Sequence, residues 1–325
     1  MIAVGSGAQG ASRPLSLHPH EFVLLRDLVA DRFGLQYADE LAYLLERRLQ
    51  PRVEALGLRS FLDYHDYLVN SALPEHERSR ELREIFELLS TRETYFFRES
   101  YQLDALRGGL LPQLAQTRRH QKRLRVLSAG CASGEEAYSL AITLCQSRLF
   151  DSWDLQVVGC DLSQRALETA RRGVYGRSSF RHVSDEVLAQ CFQPQPDGRH
   201  VVRDEFRRQC RVHFVCANLA AAESEWTGSE EDAQLLAGPF DAIFCRNVLI
   251  YFSRPRRPQL LAGLAQRLAP DGILFLGHSE SLHELKTPFV LDRLAGELVY
   301  RLASPGSTNE AASSEGFPAR ARQGG

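Results

Sequence analysis

Leu124-Arg125-Val126-Leu127-Ser128-Ala129-Gly130-Cys131-Ala132-Ser133-Gly134-Glu135-Glu136 reads as a short apolar strand, a glycine turn and the start of a helix. The helix continues with Ala137, Leu140, Ala141 and Leu144 on one face. The same alternation recurs downstream. Leu155–Asp161 is a second strand, followed by a helix from Ser163. Phe240–Asn247 is another strand. Leu260–Leu268 is helical, and Pro270-Asp271-Gly272 predicts a turn into the strand Ile273–Gly277. Strands alternating with helices imply an α/β fold with a mostly parallel, doubly wound sheet. Such sheets bind ligands beyond the carboxyl ends of their strands, near the switch in strand order.

Upstream of residue 90 the pattern is helical only. Phe22, Leu25, Leu28, Val29 and Phe33 form one stripe, and Leu41, Leu44, Leu45, Leu49 and Val53 a second, in which Pro51 predicts a kink or restart. Ser60 is the expected N-cap of a helix carrying Phe61, Tyr64 and Leu68. Pro74 opens another, carrying Leu82, Ile85, Phe86 and Leu89. Residues 174–214 break the α/β rhythm with Pro194, Pro196 and Gly198 and predict a small appended β-hairpin, which takes in the run Arg211–Val215. Residues 1–14 and 304–325 are rich in Gly, Ser, Ala and Pro and are expected to be disordered.

The glycine turn lets a ligand approach the backbone closely. It reads G-x-x-x-G rather than the G-x-G-x-x-G of a dinucleotide site, and two carboxylates follow it. Glu135 and Glu136 would repel a pyrophosphate and suit a cationic ligand; equally, they favour a helix N-terminus through its dipole. Asp161 ends the second strand, where an acid accepts ribose hydroxyls. Together these features favour a nucleoside-containing ligand without choosing among cofactors. The 325-residue chain has a net charge of -2, which argues against bulk attraction to nucleic acid or membrane. No apolar run is long enough for a spanning helix, and the start lacks a signal-peptide pattern. Seven cysteines without a C-x-x-C pair, and histidines without H-E-x-x-H spacing, predict neither a disulfide framework nor a metal site, and fit a reducing cytoplasm.

Four longer stretches carry a resemblance. Thr94-Tyr95-Phe96-Phe97-Arg98-Glu99, Leu127 to Ser139, Phe240 to Phe252, and Gly277-His278-Ser279-Glu280-Ser281 resemble the CheR family of chemotaxis receptor glutamate methyltransferases, in order, across roughly residues 18 to 303. The resemblance implies a Rossmann-like methyltransferase sheet at 102–303 with a β subdomain at 174–214, an all-helical receptor-docking domain at 15–90, and a linker at 91–101 that reaches into the active site. It implies S-adenosyl-L-methionine as cofactor, with Thr94, Arg98, Gly130, Glu135, Asp161, Asn218, Leu219, Arg246 and Asn247 around it. Arg98 and Tyr251 match residues near the transferring methyl. Arg92 departs from the family's asparagine two residues before the threonine, and is left out of the cofactor set. Phe96, Phe97, Tyr138 and Phe252 are read as core packing.

The implied substrate is a glutamate on the cytoplasmic helices of a methyl-accepting chemoreceptor. Arg47, Arg48, Arg52 and Arg59 form the expected docking face; the alternative is a solvated helix surface with Glu46 and Glu54. The short stretch Phe192–Phe206 predicts no tight binding of a receptor's pentapeptide tether. A monomer is the default. Three other readings are disfavoured. A base methyltransferase would carry a Pro-Pro motif where Cys245–Tyr251 stands. A cofactor-binding module without turnover could dispense with Arg98 and Tyr251. A dehydrogenase would want the missing glycine pattern.

Overall fold

The computed structural model describes residues 15–69, 73–91, 93–222 and 226–303. The expectations for 1–14, Arg92 and 304–325 lie outside the described residues. Four helices open the chain: α1 Pro19–Phe33, α2 Ala42–Ala55, α3 Phe61–Val69 and α4 Glu75–Leu89. Their apolar stripes close on one core that includes Leu25, Val29, Leu45, Leu49, Tyr64 and Ile85. Ser60 caps α3, its hydroxyl accepting from the Asp63 N–H at 2.9 Å. Pro51 does not restart α2, which runs through it. Leu45, Leu49 and Val53, all fully buried, hold both halves of the helix on the same core, which outweighs the one backbone bond that proline removes.

A connection through α5 Ser100–Ala105, a π-turn at Leu106–Leu110 and α6 Leu111–Thr117 leads into the sheet. In chain order the remaining elements are β1 Arg123–Ala129, α7 Glu135–Gln146, β2 Asp154–Asp161, α8 Gln164–Arg172, β3 Val174–Tyr175, α9 Asp185–Cys191, β4 Phe192–Pro194, β5 His200–Val202, α10 Asp204–Gln209, β6 Cys210–Cys216, α11 Glu230–Leu236, β7 Phe240–Cys245, α12 Arg257–Arg267, β8 Leu268–Leu276, β9 Phe289–Leu294 and β10 Glu297–Leu302. The main sheet has the order β6-β2-β1-β7-β8-β10-β9. Its first five strands are parallel, and the last two pair antiparallel. The order reverses between β1 and β7, so a crevice opens beyond their carboxyl ends.

Two sequence expectations change here. The appended unit is a three-stranded antiparallel sheet, β3-β5-β4, rather than a hairpin. The run Arg211–Val215 lies outside it and pairs in parallel with β2 as the edge of the main sheet. Pro270-Asp271-Gly272 makes no turn between elements. It is a bulge within β8, because Phe240 pairs with Leu268 while Ala242 pairs with Ile273.

The helical domain is joined to the crevice by main-chain bonds. Leu35 bridges to Phe252, Gln36 N–H donates to the Tyr251 carbonyl at 2.9 Å, and Ser253 N–H donates to the Gly34 carbonyl at 3.2 Å. Asn218 Nδ2 donates to the Arg32 carbonyl at 3.0 Å, and Arg256 pairs with Asp31 at 2.8 Å.

Candidate active site

One cavity sits where the two domains meet. Its floor comes from the strand ends, namely Gly130, Cys131 and Ala132 after β1, Asp161 after β2, Ala217, Asn218 and Leu219 after β6, and Arg246, Asn247 and Val248 after β7. The helical domain supplies an apolar wall that includes Phe33, Leu44, Phe86 and Leu89, and the connecting segment supplies Thr94 and Arg98. Tyr251 and Phe252 close the remaining side.

The floor depends on glycine. Gly130 has φ +76°, and a Cβ there would lie 2.4 Å from Val248 Cγ2. Gly134 has φ +93°, and its Cβ would meet Ala170 at 2.7 Å. Both positions therefore require a residue that tolerates left-handed backbone and close approach. Asp161 fixes the loop from the next strand. Its Oδ2 accepts from Ala132 N–H and its Oδ1 from Ser163 N–H, both at 2.9 Å. The carboxylate stands at the cavity with backbone donors holding its orientation.

Thr94, Arg98, Gly130, Asp161, Asn218, Leu219, Arg246, Asn247 and Tyr251 all line this cavity. Glu135 does not. It is 3% exposed, and its carboxylate accepts from Ser133 Oγ at 2.7 Å and Ser179 Oγ at 2.8 Å. Burial pushes its carboxyl above the ordinary value, against the pull of those two serine bonds. The first helical turn rotates successive side chains by about 100°, and it is Glu136 that faces the cavity. Glu136 accepts from Ser128 Oγ and from Arg246 Nε, each at 2.7 Å.

Arg246 is deeply buried and joins several parts of the site. Besides Glu136, it donates to the Arg98 carbonyl at 2.7 Å and lies 3.7 Å from Glu99 Oε2. Glu99 in turn accepts from His278 Nδ1 at 2.8 Å. The segment it anchors is strained, with Phe97 at φ +57° and Glu99 at φ +52°. Non-glycine residues hold such angles only when their surroundings fix them. Arg98 itself donates to the Glu93 carbonyl at 3.0 Å and lies 5.7 Å from the Tyr95 ring centroid.

Asn247 also has positive φ, +57°. Its N–H donates to Glu280 Oε2 at 2.7 Å, and the same oxygen accepts from Gly277 N–H at 2.8 Å. Glu280 thus ties the loop after β7 to the end of β8. Burial raises its carboxyl, although the backbone donors oppose the shift. Tyr251 follows on a 3-10 turn, Leu249–Tyr251. Burial raises its phenol and the nearby Arg98 charge lowers it; the net shift is upward, so the hydroxyl is a donor at neutral pH.

Three residues that shape the site, Glu99, Gln102 and Glu280, were not among the sequence candidates, and Glu136 was read there only as one of a pair with Glu135. Gln102 Nε2 donates to the Leu276 carbonyl at 2.7 Å across 174 positions. Glu99, at the end of the Thr94–Glu99 stretch, and Glu280, inside the Gly277–Ser281 stretch, left a trace in the sequence; Gln102 left none.

Comparisons with known proteins match both domains of the chain. Residues 92–294 match the description CheR methyltransferase, SAM binding domain, and residues 20–90 match CheR methyltransferase, all-alpha domain. The chain belongs to the CheR methyltransferase family. Chemotaxis protein methyltransferase 2 of Vibrio cholerae is 30% identical over 291 residues, spanning 89% of this chain and 95% of the relative. The chemotaxis protein methyltransferase of Salmonella typhimurium is 33% identical over 290 residues, spanning 89% and 92%. That of Escherichia coli is 32% identical over 290 residues, spanning 89% and 93%.

The cofactor of this CheR-family methyltransferase is S-adenosylmethionine, and the residues present fit it. The cradle at Gly130 has no room for a Cβ. Asn247 Oδ1 is buried and accepts no hydrogen bond among the described residues, which leaves an acceptor for a ligand donor. Asp161 offers a carboxylate at the strand end, and Leu162 and Leu219 offer apolar surface for a base. No described helix is long and apolar enough to cross a membrane.

Proposed function

We propose that this methyltransferase esterifies the γ-carboxylate of specific glutamates on the cytoplasmic helices of a methyl-accepting chemoreceptor. The observation that carries the reading is that Arg98 and Tyr251 line the same cavity as a glycine cradle and a ribose-type acid, with the Arg98 charge near enough to act on the Tyr251 phenol. S-adenosylmethionine supplies an electrophilic methyl group on a sulfonium. A glutamate near pKa ~4.3 is already ionised at neutral pH, so the acceptor needs no general base. Arg98 orients the incoming carboxylate through a charge-assisted bond. Tyr251, protonated, donates to the same carboxylate or shapes the surroundings of the methyl. The apolar wall from α1, α2 and α4 keeps water from the reacting atoms. In this assignment Thr94, Gly130, Asp161, Asn218, Leu219, Arg246 and Asn247 hold the cofactor. Glu135 braces the loop beneath it, through Ser133 and Ser179.

The receptor-docking face is narrower than the four arginines of α2 and its neighbourhood. Arg52 pairs with the buried Glu81, and Arg48 donates to the Leu89 carbonyl. Arg47 and Arg59 are exposed and remain as the docking cations, presented to an acidic helix. The β4–β5 turn closes within Gln195–Arg199, where Gln195 N–H donates to the Arg199 carbonyl at 2.8 Å. So compact a turn supports a receptor encounter that does not rely on a pentapeptide tether.

The deciding assay incubates the full chain with methyl-labelled S-adenosylmethionine and membranes containing a chemoreceptor. Alkali-labile label on receptor glutamates is the expected result. Label that enters the receptor only as alkali-stable product would overturn the carboxylate assignment.

A further inference from the structure

Glu87 is a carboxylate that the proposed chemistry does not use, yet it is 7% exposed at the seam between the domains. It projects from α4 onto the start of α8. Its Oε2 accepts from Ser163 Oγ at 2.8 Å and its Oε1 from Arg165 N–H at 3.2 Å. Ser163 is the N-cap of α8, its hydroxyl accepting from Ala166 N–H at 3.0 Å. The N–H of that same serine donates to Asp161 Oδ1 at 2.9 Å. One chain of hydrogen bonds therefore runs from the helical domain, through Ser163, to the ribose acid.

Burying a carboxylate is unfavourable unless donors compensate it. Here a helix N-terminus and a hydroxyl do so, the former with its positive dipole end. An apolar side chain would pack α4 on α8 without desolvating an anion, but it would leave the Ser163 hydroxyl and the Arg165 N–H without this acceptor. What the carboxylate adds is direction: it fixes the Ser163 hydroxyl, and with it the backbone that orients Asp161. An ion pair, Arg165 with Glu84 at 2.6 Å, crosses the same seam at the surface and does not involve the Ser163 hydroxyl.

We propose that Glu87 is a positioning residue for cofactor binding, acting through Ser163 on Asp161, so that affinity for S-adenosylmethionine depends on how the helical domain is seated. This rests on Asp161 holding the cofactor's ribose, as assigned above. Linkage makes the effect reciprocal. Cofactor binding tightens the seat of α4, and a partner that shifts α4 changes cofactor affinity by the same factor.

The test is calorimetry of S-adenosylmethionine with the full chain, with thermal melts to establish that each variant is folded. Glu87→Ala is expected to weaken binding about tenfold, and Glu87→Gln, which keeps an acceptor for Ser163, about threefold. Glu84→Ala stays within about twofold of wild type, since it breaks only the parallel ion pair. In an Asp161→Asn background the Glu87→Ala effect shrinks below about threefold, because the two sites act in series. Glu87→Gln preserves the side-chain volume and decides the matter if the alanine variant does not fold. Wild-type affinity in the glutamine variant, equal losses in the Glu84 and Glu87 variants, or additive losses with Asp161→Asn would each overturn the proposal. A wild-type chain that binds no S-adenosylmethionine would instead remove the cofactor assignment on which it stands.

Discussion

The Arg246 guanidinium donates to the main-chain carbonyl of Arg98 at 2.7 Å, so the residue assigned to the substrate is held by one assigned to the cofactor site. Arg246→Lys loses the fork that reaches Glu136 and Arg98 together. Its kcat with receptor is expected to fall about a hundredfold, as misplacement of a positioning group does, with S-adenosylmethionine affinity less affected. Steady-state kinetics set beside calorimetry check this; an equal loss in both would mean that Arg246 acts through cofactor binding alone.

Gly130→Ala tests the cradle. The added methyl would meet Val248 Cγ2, and φ +76° disfavours any side chain. Cofactor affinity is expected to drop at least about tenfold, reflecting a local penalty on the order of 1–2 kcal/mol. Adding Val248→Ala relieves the clash but not the backbone strain, so it restores only part of the loss. Calorimetry on the single and double variants reads both.

The helical domain has its own electrostatic test. Glu81 is 2% exposed, accepts from Arg52 Nε at 2.8 Å and from the Tyr64 hydroxyl at 2.7 Å. Burial alone would raise its carboxyl, but the Arg52 bond and the Tyr64 hydroxyl prevail and hold it below the ordinary value. A depressed folded-state pKa contributes stability above the unfolded value, and that stability is lost as pH falls through the folded one. Glu81→Gln is expected to lower stability at pH 7 by about 2–3 kcal/mol, less than for a fully buried pair because Arg52 is part-exposed. The gap between variant and wild type should narrow as pH falls from the ordinary glutamate value, about 4.5, through the lowered folded-state value, in acid titrations of thermal unfolding.

Arg47→Glu with Arg59→Glu probes docking. The pair is expected to raise the KM for receptor about tenfold at low salt while leaving S-adenosylmethionine affinity unchanged. The effect should fade as ionic strength rises and the Debye length shortens. Salt-independent kinetics in the double variant would place the docking surface elsewhere.

The sheet was legible because its central strands are short apolar runs, β1 ended by Gly130 and β2 by Asp161, and β1, β2 and β7 lie within two residues of their expected bounds. What sequence could not reveal was pairing. Arg211–Val215 carries the same alternation whether it closes a hairpin or edges a parallel sheet, and only its register with β2 decides. The Pro270-Asp271-Gly272 signal was a true break in regularity whose form, a bulge, depends on the neighbouring strand. In the site, Gly130 and Asp161 were readable from local chemistry alone. Glu135 and Glu136 were not separable, because which carboxylate reaches the cavity depends on Ser179, 44 residues away from Glu135. Glu99 and His278 are likewise joined across 179 positions.

The backbone stitching of Leu35 to Phe252 has a consequence for how such an enzyme can be taken apart. The Tyr251 carbonyl is occupied by an N–H from the helical domain, and the next two residues, Phe252 and Ser253, pair with Leu35 and Gly34. A chimera that swaps the first ninety residues for those of a relative therefore exchanges more than the docking module proposed above. It re-cuts the loop that presents the phenol. On the proposed reading, receptor specificity belongs to the two domains together, and recombination at the linker separates parts joined by main-chain bonds.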